Sequence, residues 1–232
     1  MGRAAISSTN SQFVFPRWAN YLLPGLLLAL AVAVIYVPVV VGYGLAPQAL
    51  AVGYRPIQPV PYSHALHAGE LGIDCRYCHN TVDKAPFAAL PPTQTCMNCH
   101  SMIKTDSPKL ALVRQSYATG MPIHWIRVHD LAGYVYFNHA IHVNKGIGCV
   151  TCHGRGDKMD VVAQVKPLAM GWCLDCHRAP EKYLRPRDQV TNMTWDPVAD
   201  AGKDQLTLGL ELKRKYNIPD ATFMTSCSTC HR

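Results

Sequence analysis

The chain has 232 residues, a formal net charge of +7, eleven histidines and ten cysteines. All ten cysteines stand in Cys-x-x-Cys pairs, which excludes a thioredoxin-like protein, because that chemistry uses one such pair rather than five. Lys and Arg outnumber Asp and Glu, but a negatively charged group bound at the cysteine pairs would offset this positive charge.

The first element along the chain is apolar. Residues 22–46, LLPGLLLALAVAVIYVPVVVGYGLA, carry no charge, and as a helix they would be about 37 Å long, enough to cross a bilayer. We therefore expect a single transmembrane helix here, with a kink at Pro38. Trp18, Tyr21 and Tyr43 stand near the expected membrane interfaces.

The charges before this helix predict its orientation. Arg3 and Arg17 precede it and no acidic residue does, so the positive-inside rule places residues 1–21 in the cytoplasm. The rest of the chain would then lie on the periplasmic face of a bacterial cytoplasmic membrane. A cleaved signal peptide is the alternative, because Ala-Leu-Ala at 49–51 could serve as a cleavage site, although the apolar stretch is long for one.

A proline-rich segment follows. Residues 47–62, PQALAVGYRPIQPVPY, contain four prolines and predict an extended linker. Residues 63–232 then form the expected second domain.

This domain contains five copies of the motif Cys-x-x-Cys-His. A zinc ribbon needs two cysteine pairs per metal and has no use for the histidines, so the pattern predicts covalent attachment of five haems c. Each pair of sulfurs adds to the two vinyl groups of one haem, and the following histidine is the proximal iron ligand. The thioether cysteines are Cys75, Cys78, Cys96, Cys99, Cys149, Cys152, Cys173, Cys176, Cys227 and Cys230, and the proximal ligands are His79, His100, His153, His177 and His231.

Two His-x-x-His elements supply candidates for the distal iron ligands. His64 and His67 precede the first motif, and His139 and His142 precede the third, each pair following an aromatic residue. Residues i and i+3 of a helical turn lie on one face but diverge, so each pair could serve two neighbouring irons.

These elements reveal an internal repeat. Cys75 and Cys149 are 74 positions apart, and Cys96 and Cys173 are 77 apart. Each repeat holds one His-x-x-His element and two haem motifs, which gives repeats over about 62–123 and 124–200. The fifth motif lies outside this scheme, in a C-terminal segment over about 201–232.

The fifth distal ligand is expected to be His129, with His124 left near the surface. A methionine could compete, because Met/His ligation is known in haem proteins, and Met102 and Met193 are the candidates. We expect both methionines to be ordinary packing residues.

Five haems also account for the charge. Their ten propionates, if ionised, change +7 to −3 in the ferrous protein, so the excess Lys and Arg are expected to pair with propionates. Nucleic acid is therefore not expected as a partner.

The rest of the chain predicts few regular elements. SPKLALVRQSYATG predicts a short helix with Ser107 as its cap and Gly120 after its end. Another helix is expected near 203–216. Frequent Pro and Gly indicate a mostly irregular fold with short α-helices and few strands, on a single N-terminal transmembrane helix.

Longer strings carry a family resemblance. The aromatic-x-His-x-x-His element resembles the class III multihaem cytochromes c. VHDLAGYVYFNHAIHV, GWCLDCHRAPEKYLRP and CSTCHR, in this order behind an N-terminal anchor, resemble the pentahaem cytochrome c subunit of bacterial alternative complex III, a quinol:electron-acceptor oxidoreductase. That resemblance spans essentially the whole chain.

The resemblance implies a non-catalytic electron-transfer subunit. Its partners would be an iron–sulfur subunit similar to molybdopterin oxidoreductases and multi-helix membrane subunits that bind quinol. Its acceptor would be a monohaem cytochrome c or a blue-copper protein. A free-standing, membrane-anchored quinol dehydrogenase is the alternative. A pentahaem nitrite reductase is disfavoured, because no Cys-x-x-Cys-Lys motif occurs.

Overall fold

The computed structural model describes residues 15–45 and 50–231. Most of the expected cytoplasmic segment, the last residue of the expected span, the first part of the expected linker and Arg232 lie outside the described residues. The chain divides into two compact units, Met1–Ala46 and Pro47–Arg232.

The first unit contains a long apolar helix. A 3-10 turn, Arg17–Tyr21, leads into α1, Leu22–Leu45, which runs for 24 residues with Pro38 inside it. Its side chains are exposed all round, as Val34 at 74% and Ile35 at 70% illustrate. A helix that is apolar on every side suits an apolar solvent. This one is long and apolar enough to span a membrane, in agreement with the prediction.

The second unit consists of short helices joined by turns. Within the described residues it has no β-strand, only two isolated bridges, Val135–His231 and Ile147–Leu184. The prediction of a mostly irregular fold with short helices is therefore confirmed. The α-helices are α2 (Cys75–Cys78), α3 (Thr93–His100), α4 (Ala111–Thr119), α5 (His139–Asn144), α6 (Cys149–His153), α7 (Met170–Arg178), α8 (Pro197–Ala201), α9 (Gln205–Lys215), α10 (Ala221–Met224) and α11 (Cys227–Cys230). Single turns of other helix types are the π-helical Ala65–Glu70 and the 3-10 turns Pro108–Leu110, Gly156–Lys158, Pro180–Lys182 and Arg187–Gln189.

Both helices expected from local signals are present. α4 follows the 3-10 turn that starts at Pro108. It ends at Thr119 and is followed by Gly120, whose φ of +73° is the left-handed conformation that favours glycine. Ser107 precedes that turn, but its side chain makes no capping hydrogen bond, so the expected cap is wrong. α9 begins after Asp204, whose carboxylate accepts from the backbone N–H groups of Leu206 and Thr207.

Residues 50–62 are attached to the second unit by hydrogen bonds. The Gly53 N–H donates to the Gln164 carbonyl at 2.7 Å, and the Gln164 side-chain amide donates back to the Leu50 carbonyl at 2.9 Å. The Gln58 side chain bonds both backbone groups of Ile126, at 2.9 and 3.0 Å. These residues therefore belong to the fold that carries the haem motifs.

The apolar side-chain core of this unit is small. Its main cluster packs α9 against the segment around Leu184 and consists of Ile147, Leu184, Leu208, Leu212 and Tyr216. A Cβ atom on Gly209 would overlap the carbonyl oxygen of Glu181, so the glycine allows α9 to approach the Pro180–Lys182 turn closely. The cluster joins the fourth motif region to the C-terminal segment.

We predict that Gly209→Ala destabilises the protein. Alanine is the better helix former by about 1 kcal/mol, but the overlap with Glu181 forces α9 away from the turn, and overpacking of this kind costs about 1–3 kcal/mol or more. The apparent melting temperature, followed by circular dichroism, should fall by several degrees. The matched control is Leu210→Ala on the exposed side of α9, 45% exposed. A G209A variant as stable as L210A would contradict the close approach.

Candidate haem sites

Each Cys-x-x-Cys-His motif lies on a turn of helix. Residues i and i+3 of a helical turn lie on the same face, so the two thiols of a motif are presented together and the histidine follows directly. Hydrogen bonds close the turn: the His79 N–H donates to the Cys75 carbonyl at 2.8 Å and the His231 N–H to the Cys227 carbonyl at 2.9 Å. All ten cysteines are free of disulfides. The arrangement suits two thioether bonds and one axial imidazole.

Four of the five motif histidines have the same ring orientation. In each, Nδ1 lies within hydrogen-bond distance of a backbone carbonyl, which can only accept, so Nδ1 carries the proton and Nε2 keeps its lone pair. This is how proteins orient an imidazole that binds a metal through Nε2. The contacts are His79 to Ala89 at 2.9 Å, His100 to Ile103 at 3.0 Å, His177 to Met224 at 2.9 Å and His231 to Tyr134 at 3.3 Å. The fifth, His153, is kept neutral because burial lowers its pKa to about 3.

The His-x-x-His elements repeat this device. His67 Nδ1 donates to the Ser63 carbonyl at 2.8 Å, and His142 Nδ1 donates to the Asn138 carbonyl at 2.7 Å. Both acceptors stand four residues before the histidine, so the two repeats share the same local geometry. His139 Nδ1 instead reaches the carbonyl of Pro86 at 2.9 Å.

The aromatic residue that opens each element contacts both of its imidazoles. Tyr62 contacts His64 edge-on at 4.8 Å and stacks on His67 at 4.4 Å. Phe137 contacts His139 edge-on at 4.7 Å and His142 in a tilted arrangement at 4.6 Å. The pattern marked these aromatic residues, but not their role, which is to hold two imidazoles apart and fix their directions.

Three pairs of histidines have ring centroids at nearly the same separation. With a metal–nitrogen bond of about 2 Å on each side, plus the radius of each ring, two imidazoles on opposite sides of one metal have centroids roughly 6 Å apart. His67 and His100 are 6.2 Å apart, His142 and His177 6.2 Å, and His139 and His153 6.4 Å. The residues therefore fit iron ligation by pairs of histidines.

The remaining ligand candidates gather between the two repeats. His64 is half-buried, and its Nδ1 is buried without a hydrogen-bond partner among the described residues. Burial, followed by the neighbouring His79, lowers the pKa of His64 to about 4. Burial lowers the pKa of His139 too, and His79 adds to this effect. The first histidine of each His-x-x-His pair, His64 or His139, thus lies near His79 of the first motif.

His129 and His124 differ as expected in their exposure. His129 is half-buried, with Nε2 buried and without a hydrogen-bond partner among the described residues, whereas His124 is exposed. The ring of His129 lies edge-on to His153 at 4.4 Å, too short a distance for an iron between them. His129 as the fifth distal ligand stays a prediction. Met102 is 87% exposed.

Neighbouring motifs define a spatial order that differs from the order along the chain. Motifs one and two touch, because the Asn98 side chain donates to the Tyr77 hydroxyl at 3.0 Å. Motifs one and three touch through Cys75 and Cys149, whose proximity raises the pKa of Cys149. The carboxylate of Asp74, the residue before motif one, also accepts a hydrogen bond from the Thr191 hydroxyl at 2.8 Å.

The order continues from motif three to motif five. Burial and then Cys173, in motif four, raise the pKa of Cys152, in motif three, to about 11. His177 in motif four donates to the Met224 carbonyl, which lies three residues before motif five, at 2.9 Å. The order in space is therefore two, one, three, four, five. Cys99 and Cys227, in the two end motifs, are the exposed cysteines of the ten.

Comparison with known proteins supports a multihaem cytochrome c. No protein-family profile matches the chain. The multihaem cytochrome c subunit of menaquinone reductase from Nitratidesulfovibrio vulgaris (strain Hildenborough) is 33% identical over 97 residues, which are 41% of this chain and 45% of that protein. The chain thus spans less than half the length of this relative. The similarity does not extend to alternative complex III in particular.

We predict that His67 and His142 are iron ligands and that His124 is not. Replacing His67 or His142 by alanine should leave all five haems attached, because the cysteines are intact, and convert one haem in five from low to high spin. Electron paramagnetic resonance of the oxidised protein measures this change. His124→Ala is the control and should give the wild-type spectrum. A purely low-spin His67→Ala variant, or a high-spin signal from His124→Ala, would show that the ligands are assigned wrongly.

Proposed function

We propose that this chain is an electron-transfer subunit of a membrane quinol-oxidising complex and holds five haems c. The observation that carries the proposal is the shared orientation of its histidines. Seven imidazoles donate from Nδ1 to a backbone carbonyl and leave Nε2 free, and four of the seven directly follow a Cys-x-x-Cys pair. The similarity to a multihaem cytochrome c subunit supports the same conclusion.

The chain offers enough ligands to close every iron. Haem supplies reversible one-electron transfer, and an iron with two histidines has no free position for a substrate. We assign His67 opposite His100 and His142 opposite His177. His64 serves the first motif and His139 the third, and His129 is the remaining distal ligand.

We propose that electrons follow the spatial order of the motifs. Contacts between motifs run from two through one, three and four to five, so electrons would enter at one end motif and leave at the other. Exposure supports this route, because Cys99 and Cys227 belong to the two end motifs and are the exposed cysteines. The three inner motifs are then shielded from unwanted acceptors.

The membrane helix has a supporting part in this proposal. α1 would anchor the chain in the bacterial cytoplasmic membrane with its N-terminus in the cytoplasm and the haem domain in the periplasm. A single helix encloses little space for a quinone, and small-molecule pockets form between several elements. The quinol site would therefore belong to multi-helix partner subunits, as in the alternative complex III arrangement, with an iron–sulfur subunit and a small cytochrome or blue-copper acceptor as further partners.

A second candidate is a subunit that delivers electrons to a quinone. The relative from Nitratidesulfovibrio vulgaris is named a menaquinone reductase subunit, and a series of closed haems conducts in either direction. The direction is decided by the potentials of the partners on either side. The potentials of the end haems relative to menaquinone would distinguish the two candidates.

We predict that the isolated full-length chain, loaded with haem in detergent, is not rapidly reduced by a menaquinol analogue. Dithionite should reduce all five haems at once, because the haems at the two ends are accessible. Stopped-flow absorbance at the haem α-band measures both rates, and membranes containing the native complex are the positive control. Reduction of the isolated chain by quinol as fast as in those membranes would instead support a free-standing quinol dehydrogenase.

A further inference from the structure

Arg185 is a buried cation beside the third haem motif. Three polar or charged side chains are buried in the described part of the chain, and Arg185, 8% exposed, is the charged one. The other two are satisfied: Ser116 donates to the Met121 carbonyl, and Gln164 donates to the Leu50 carbonyl. Arg185 differs, because its Nε is buried and has no hydrogen-bond partner among the described residues.

The position of Arg185 is fixed from several sides. Its backbone N–H donates to the Gly146 carbonyl at 2.9 Å, and Nη1 donates to the Asn192 carbonyl at 2.9 Å. The guanidinium lies against Gly148, where a Cβ atom would overlap it. Gly148 is the residue before Cys149, so it gives the guanidinium room directly beside the start of α6.

The guanidinium needs an anion that the described chain does not supply. Arginine stays protonated in proteins, and a buried charge without a partner is costly. Within residues 15–45 and 50–231, Arg185 takes part in none of the ion pairs. The same burial lowers the pKa of Arg185. A carboxylate from a bound group would satisfy both the charge and the free Nε donor.

We propose that Arg185 binds a propionate of the haem attached at Cys149 and Cys152. This inference rests on the proposed function, because it requires a haem at the third motif. A haem propionate is a carboxylate that arrives with the cofactor, so it matches a cation that has no carboxylate from the chain. Arg185 would thus be a positioning residue for this haem and would supply a positive charge to its site.

The charge has a direct redox consequence. A fixed positive charge stabilises the ferrous state relative to the ferric state, which carries one more positive charge, so Arg185 raises the reduction potential of this haem. Neutralising the propionate acts in the same direction. Because the third motif is central in the spatial order, Arg185 would set the potential in the middle of the electron route.

The test is a redox titration of the full-length holoprotein. In Arg185→Met, one fifth of the haem absorbance should move to lower potential, while Arg185→Lys, which keeps the charge, should remain closer to wild type. Arg214→Met removes an exposed cation from α9 and should leave the titration unchanged. A pyridine haemochrome assay on each variant confirms that five haems are present.

Superimposable titrations of wild type and Arg185→Met, both with five haems, would overturn the inference. If Arg185→Met does not mature, a second measurement decides: redox-difference infrared spectra of the wild type labelled with ¹⁵N-arginine. The same spectra of Arg185→Lys serve as the reference. We expect an arginine band that changes on reduction and is lost in the lysine variant, and its absence would overturn the inference. A wild-type potential that depends on added phosphate would show that a free anion occupies the site instead.

The failure of the proposed function is distinguishable from these outcomes. A wild-type chain without haem at Cys149 and Cys152, detected by peptide mass spectrometry, would remove the basis of the inference before any potential is measured. A fully loaded chain with unchanged potentials would reject only the role of Arg185.

Discussion

The hydrogen bond from an imidazole Nδ1 to a backbone carbonyl is the interaction on which the rest of the structure depends. It fixes the tautomer, leaves Nε2 available to bind a metal and, in some of the histidines, connects the ring to a distant part of the chain. His177 reaches Met224, 47 positions away, and His139 reaches Pro86, 53 positions away. In a domain without strands among its described residues, such contacts replace the ladder of a sheet as the long-range connections.

The second constraint is the scarcity of apolar side chains that pack together. The described chain buries nine hydrophobic side chains, and five of them form one cluster beside α9. A domain of this length normally builds a larger apolar core. With the five proposed haems, the whole chain has only about 46 residues per haem, and the porphyrins themselves would provide the missing apolar surface. Covalent attachment then suits the fold, because the chain cannot enclose each haem in a separate pocket.

Local sequence patterns were sufficient for much of this account. Spacing, or signals within a few residues, were enough to predict the five motifs, the two His-x-x-His pairs and the helices α1, α4 and α9. The cap at Ser107 was predicted wrongly, since Pro108 begins a 3-10 turn rather than a capped α-helix. The role of Tyr62 and Phe137 between their histidines was visible only once both rings were placed.

Long-range features could not be predicted in the same way. The spatial order of the motifs depends on contacts such as Tyr77 with Asn98 and Cys75 with Cys149, and no local pattern encodes which motifs become neighbours. Nothing in the sequence distinguishes Arg185 from the other basic residues, because its burial beside Gly148 is a property of the folded chain. The most direct test of the central claim is the intact mass of the mature chain, combined with alkylation of free thiols. We expect the mass of the polypeptide plus five haems and no alkylated cysteine, whereas fewer haems or any reactive thiol in the mature protein would contradict the attachment of five haems.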